Sequence, residues 1–170
     1  MKKYLVFPLA AVALILAACG KKDESTAAAS ASAPAAAAAP AAPAVAIIEL
    51  TANDSMKFSQ TSFEVKAGQD VKVTFTNMGT MPKQAMGHNF VLLKKGVDPK
   101  EFANAAMVAA ATDYVPADKL DQVIAHTKLL GPKQSDELNF KAPTEPGEYV
   151  FLCTFPAHFL TGMHGVIVVK

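Results

Sequence analysis

The sequence predicts an all-β fold, a Greek-key β-sandwich of about eight strands with one short inserted helix. Three observations predict it. From residue 45 onward the chain breaks into short runs of alternating or β-branched residues, the pattern of strands with one buried face. Turn residues separate those runs: Gly68, Gly79, Gly96, Asp98-Pro99, Gly131-Pro132, Pro143 and Pro146-Gly147. Only one stretch, 99–113, is rich in helix formers. Many short strands with a single helical insertion fit two packed sheets.

The elements follow in chain order. Lys2 and Lys3 precede a run of apolar residues that ends at Ala18. That run is shorter than the roughly 20 residues of a membrane span and reads as an export signal. Its ending, Leu16-Ala17-Ala18-Cys19, resembles the bacterial lipobox. Residues 1–18 are therefore expected to be a lipoprotein signal peptide and Cys19 the lipidated residue; the alternative is an ordinary secretory signal with an incidental cysteine. Residues 19–45 are expected to be a disordered tether. Of the 22 residues from 25 to 46, 14 are Ala, broken by Pro34, Pro40 and Pro43, so there is little to bury and no long helix.

The folded domain is expected over 46–170. Strands are expected at 44–51, 56–58, 63–66 and 70–77. In the last, Val71, Val73 and Phe75 alternate with Lys72, Thr74 and Thr76. Further strands are expected at 88–95, 122–127, 137–142, 147–153 and 165–170. The segment 99–113 supplies the helix, with Phe102, Ala106, Met107 and Ala110 near one stripe.

Composition excludes some classes. The chain carries 16 Lys and no Arg against 15 acidic residues, a net charge of +1, which argues against a nucleic-acid binder. Its 2 cysteines, Cys19 and Cys153, cannot form a disulfide scaffold or a C-x-x-C redox pair.

The residues that carry chemistry lie in two clusters, MGHN (Met86, Gly87, His88, Asn89) and CTFPAHFLTGMH, which holds Cys153, His158, Met163 and His164. A lone cysteine at a strand end reads as buried and inert. A histidine five residues on and a methionine ten residues on change that reading. One thiolate, two imidazoles and a weak thioether are the ligands that suit an electron-transfer copper. The thiolate stabilises Cu(I), and the imidazoles suit both oxidation states. Pro156 stiffens the loop, Phe155 surrounds the site with apolar surface, Gly87 permits close backbone approach, and Asn89 is placed for hydrogen bonds behind the ligands.

The strings MGHN (86–89), VIAHTKLLG (123–131) and CTFPAH (153–158) resemble the azurins, bacterial blue-copper proteins of the cupredoxin family. The resemblance covers about residues 46–170. It implies an eight-stranded cupredoxin sandwich binding one type 1 copper that cycles between Cu(I) and Cu(II). His88, Cys153 and His158 match the equatorial ligands, Met163 the axial methionine, and Gly87 the residue whose carbonyl approaches copper axially. Asn89, Thr154, Phe155 and Pro156 are expected to support them. Met86, Phe155, Ala157 and an exposed edge of His158 match the apolar patch through which electrons pass.

The chain departs from azurins in three ways. Met163 lies one residue further from the cysteine, as in auracyanins. Ala157 replaces a glycine, and the azurin disulfide is missing. His164 competes with Met163 as a ligand on residue order alone, though adjacent strand residues face opposite ways. His126 reads as a surface histidine.

The expected function is single-electron transfer, without enzyme activity, by a monomeric domain. Its expected partners are redox proteins such as c-type cytochromes or copper nitrite reductase, with membrane contact only through the N-terminal lipid. The expected location is a bacterial envelope membrane, the outer membrane, with the domain in the periplasm or at the cell surface. The alternative is a periplasmic copper chaperone or a copper-dependent interaction module.

Overall fold

The computed structural model describes residues 44–170. The signal segment, Cys19 and the tether up to residue 43 lie outside the described residues.

Among the described residues, nine strands form two mixed sheets. They are β1 (Ala46–Asn53), β2 (Lys57–Phe58), β3 (Ser62–Val65), β4 (Asp70–Asn77), β5 (Val91–Leu93), β6 (Val123–His126), β7 (Ser135–Lys141), β8 (Gly147–Leu152) and β9 (His164–Val169). One sheet has the order β2-β1-β4-β7 and the other β3-β9-β8-β5-β6. Two pairings, β1 with β4 and β3 with β9, are parallel, and the rest are antiparallel. The chain changes sheet repeatedly, so no sheet is built from consecutive hairpins alone.

Alternation sets the packing. In register, Ile48 of β1 pairs with Val73 of β4 and Leu50 with Phe75, and these four are buried together with Ala52 and Val71. Their neighbours on the other face, Ile47 and Glu49, are exposed. Ile167 and Val169 of β9 close the core from the second sheet. Phe58 of the first sheet meets both Phe75 of the same sheet and Phe151 of the second. The Phe58–Phe75 and Phe58–Phe151 centroids are 5.7 and 5.3 Å apart, edge to face. Phe90 stacks on Phe151 at 5.2 Å. Such pairs add directional preference to the burial of large apolar area.

Two expectations need correction. First, the strand expected over 88–95 is paired only at Val91–Leu93. His88 makes an isolated bridge to Leu130, and the Phe90 amide donates to the Thr127 hydroxyl (3.0 Å). The polar pair His88-Asn89 leaves the ladder because both side chains have other partners.

Second, the described residues hold two short α-helices where one is expected. Helix α1 is a single turn, Lys83–Met86, entered through Pro82; four residues are too few to show a period. Helix α2 spans Pro99–Ala106 and not 99–113. Asp98 caps it, its carboxylate accepting from the Lys100 and Glu101 amides (2.8 and 3.1 Å), with Pro99 in the first turn. Phe102 and Ala106 are buried, but the chain beyond Ala106 meets no core: Met107, expected on the same stripe, and Val108 are exposed. The chain loosens into a 3-10 turn, 110–112. Asp113 and Tyr114 then take positive φ, 54° and 61°, and turn it back onto the sandwich. A second 3-10 segment, Ala117–Gln122, leads into β6.

Candidate metal centre

Two stretches of chain converge at the end of the sandwich where β8 stops. His88 is fixed by its two-way bridge to Leu130: its N–H donates to the Leu130 carbonyl (3.1 Å) and its carbonyl accepts from the Leu130 N–H (2.8 Å). Cys153 follows β8 directly. From Phe155 to Met163 the chain winds as one compact coil. His158 N–H donates to Phe155 O (3.0 Å), Thr161 N–H to Ala157 O (3.1 Å), Gly162 N–H to Phe159 O (2.9 Å) and Met163 N–H to His158 O (3.0 Å). Cys153 N–H then donates to Met163 O (3.1 Å). This coil absorbs the longer spacing and returns Met163 beside Cys153.

The four residues are sealed from solvent. His88, Cys153 and Met163 are 0% exposed and His158 2%. The edge of His158 expected at the surface is therefore almost closed, because Phe155 packs on its ring at 4.7 Å. The two Nδ1 atoms lie 3.1 Å apart; Cys153 Sγ is 3.4 Å from His158 Nδ1 and 3.9 Å from His88 Nδ1.

The spacing fits a metal. Two imidazole nitrogens at about 2.0 Å and a thiolate at about 2.3 Å from a first-row ion in their plane would sit about 3.5–3.7 Å apart. Shifts of a few tenths of an ångström reach that arrangement. The tautomer fits as well. His88 Nε2 lies 3.0 Å from the Asn53 carbonyl. A carbonyl only accepts, so Nε2 carries the proton and Nδ1 turns a lone pair inward.

Electrostatics prepare the same donors. Burial, followed by the nearness of His88, pushes the His158 imidazole down to about 4. Burial also lowers His88, partly opposed by the Asn53 carbonyl and the charge of Asp54. Burial pushes the Cys153 thiol up to about 12, although the backbone groups of Asn89 and Phe155 favour the thiolate. Near neutrality the imidazoles are therefore uncharged and the thiol protonated. A cation entering the site displaces one proton, from sulfur.

Asn89 ties the two stretches together. Its amide group donates to Thr154 Oγ1 (2.7 Å) and Asp113 O (2.9 Å), and its carbonyl accepts from the Thr154 N–H (2.8 Å). The ring of Tyr114 meets Phe155 at 5.1 Å. The end of the helical flap thus closes over the ligand loop. Tyr114 takes the rim position expected of it, whereas Asn53 and Asp113 were not singled out in the sequence. Asn53 and Asp113 act through backbone carbonyls, which leave no side-chain signal.

The remaining expected residues are placed as follows. Gly87 has φ −68°, so a left-handed backbone does not explain it. Space does: a Cβ there would come within 2.7 Å of the Lys83 carbonyl and 2.9 Å of the Leu129 side chain. Ala157 is exposed and has φ 69°, the left-handed region that favours glycine. Met86 and Pro156 are half-buried, and Phe155 is mostly covered. His164 is exposed in β9, its ring 5.1 Å from Phe159, and His126 is exposed at the end of β6.

A buried pair of imidazoles, a thiolate and a thioether at one end of a β-sandwich define a type 1 copper site, formed here by His88, Cys153, His158 and Met163. The chain belongs to the plastocyanin/azurin family of copper-binding proteins, whose family model matches residues 45–170. It is 34% identical over 128 residues to auracyanin-B of Chloroflexus aurantiacus, covering 75% of this chain and 53% of that protein. It is 41% identical over 109 residues to outer membrane protein H.8 of Neisseria meningitidis serogroup B, covering 63% of this chain and 58% of H.8. The chain thus spans little more than half the length of these relatives. The crystal structure of dithionite-reduced auracyanin from Roseiflexus castenholzii is similar with a TM-score of 0.66 and 40% identity, covering 73% of this chain and 96% of that one. The sandwich is accordingly a cupredoxin fold.

Proposed function

We propose that this chain is a single-electron carrier of the bacterial cell envelope. The observation that supports it best is the closure of the site: all four ligand residues are at most 2% exposed. No substrate can reach a metal held there, whereas an electron can cross the thin layer beside His158. Copper in such a set supplies one electron by cycling between Cu(I) and Cu(II). The chain does the rest. It holds the imidazoles neutral and oriented, offers the thiolate, and excludes water. The closed site is that of a carrier and not of an enzyme, and it favours retention of the ion over delivery by a chaperone. The carbonyl of Gly87 would be a further weak oxygen donor beside a bound copper.

Redox proteins are the partners, with c-type cytochromes and copper nitrite reductase as the candidates. Met86, Phe155, Ala157 and His158 lie at the docking end. Small apolar contacts of this kind suit brief encounters, typically burying less than about 1,200 Å². Lipid on Cys19 and the tether over 19–45 would hold the domain at the outer membrane, a placement supported by the similarity to an outer membrane protein.

The test is stopped-flow mixing of the reduced, copper-loaded domain with an oxidised c-type cytochrome or copper nitrite reductase. Electron exchange without loss of copper is expected. Release of copper to a metal-free acceptor, with no electron exchange, would favour the chaperone reading.

A further inference from the structure

The turn joining β1 to β2 touches the copper site from both sides. At its first residue, the Asn53 carbonyl accepts from His88 Nε2 (3.0 Å) and from the Met56 N–H (3.1 Å). At its last, Lys57 pairs with Asn53 across the ladder, and its ammonium donates to the Thr161 carbonyl. Thr161 lies in the coil between His158 and Met163. Its hydroxyl reaches the His158 carbonyl (2.8 Å) and the Met56 sulfur (3.9 Å). Gly162, with φ 90°, comes so close that a Cβ there would lie 2.8 Å from Lys57 Nζ. The same turn is pinned to the 79–81 loop. The Asp54 carboxylate accepts from the Thr80 N–H and hydroxyl (2.9 and 2.8 Å).

We propose that Lys57 is a positioning residue of the copper site: its ammonium latches the lengthened His158–Met163 coil to the turn that also orients His88. The coil needs such a latch. Apart from Met163 and His158, its residues are exposed or half-buried, and its internal hydrogen bonds close only within the coil and onto Cys153. A carbonyl near the end of one turn, facing solvent, is the kind of acceptor that a cation satisfies. Lys57 is itself exposed, so its charge is screened, and its effect on the metal comes from holding the coil. Through Thr161 and Gly162 the latch fixes where Met163 returns. It thereby sets how firmly His158 and Met163 are held relative to His88 and Cys153.

The inference rests on the copper reading for its effect on the metal, but the latch is a contact of the chain alone. The test compares Lys57→Met, which keeps the apolar stem and removes the donor, with Lys57→Arg, which keeps a donor. In copper-free protein, hydrogen exchange at the Thr161, Gly162 and Met163 amides is expected to quicken about three- to tenfold in Lys57→Met, the range for losing one exposed charge-assisted hydrogen bond. It should stay near wild type in Lys57→Arg. In copper-loaded protein, Lys57→Met should release copper to a chelator faster by a similar factor and shift the visible spectrum, with Lys57→Arg again close to wild type. Wild-type exchange in Lys57→Met would overturn the proposal. So would a general loss of stability in that variant with the coil amides and the spectrum unchanged. A wild-type protein that takes up no copper would count against the copper reading, and the exchange measurement would still decide the latch.

Discussion

At the residue scale, burial sets the protonation of the three titratable ligands, His88, Cys153 and His158, and so predicts a pH window. The imidazole of His158 is held at about 4 against an ordinary 6.5, and His88 is lowered as well. A group lowered in the folded state contributes stability that is present above 6.5 and lost as pH falls toward its folded value. The Cys153 thiol is raised from 9.0 to about 12. Its contribution is present below 9.0 and lost as pH rises toward 12. The metal-free domain should therefore be most stable between these limits, as read by urea midpoints across pH. A midpoint that does not fall between pH 6.5 and pH 4 would contradict the account. Bound copper should blunt the acid limb, because a ligated nitrogen takes no proton. Ala157 supplies a second prediction. Its φ of 69° places a Cβ in the left-handed region, at a cost of about 1 kcal/mol relative to glycine. Ala157→Gly should stabilise the domain by about 0.5–1 kcal/mol in denaturant unfolding. A loss of stability would show that the alanine side chain has a packing role.

At the element scale, the site is a junction between segments that the two sheets hold in place. Asn89 is the central tie, joining the His88 stretch to Thr154 after β8 and to Asp113 after the flap helix. Leucine has a similar volume and no polar atoms. Asn89→Leu would leave the buried Thr154 N–H and the Asp113 carbonyl without partners. The expected loss is about 2–4 kcal/mol of stability, together with weaker copper retention. A change below about 0.5 kcal/mol would mean that water replaces these bonds. The same junction explains why the flap stops being a helix where it does. Extending α2 through Asp113 would take its carbonyl away from Asn89 and Tyr114 away from Phe155.

At the scale of the whole molecule, both the fold class and the metal ligands were legible in the sequence, for different reasons. Strands such as β1 and β4 declare themselves by alternation, because each buries one face. Cys153, His158 and Met163 declare themselves by closeness in sequence, since one loop carries all three. His88, in the distant MGHN cluster, is legible as the second imidazole only on the expectation that its strand packs beside that loop, an expectation the family resemblance strengthens. What stayed illegible is what the backbone does. The parallel pairings, the Asn53 and Asp113 carbonyls and the left-handed conformation of Ala157 are set by tertiary packing and leave no pattern in side-chain order. The latch from Lys57 to Thr161 spans 104 residues, beyond the reach of any local motif. The chemistry of the site turns on Cys153 supplying a thiolate to a copper held by His88 and His158. The most direct test is the visible and electron paramagnetic resonance spectrum of the copper-loaded domain, beside that of Cys153→Ser. An intense thiolate-to-copper charge-transfer band is expected in the wild type, with its complete loss in the variant. Retention of that band without the thiol would contradict that role for Cys153.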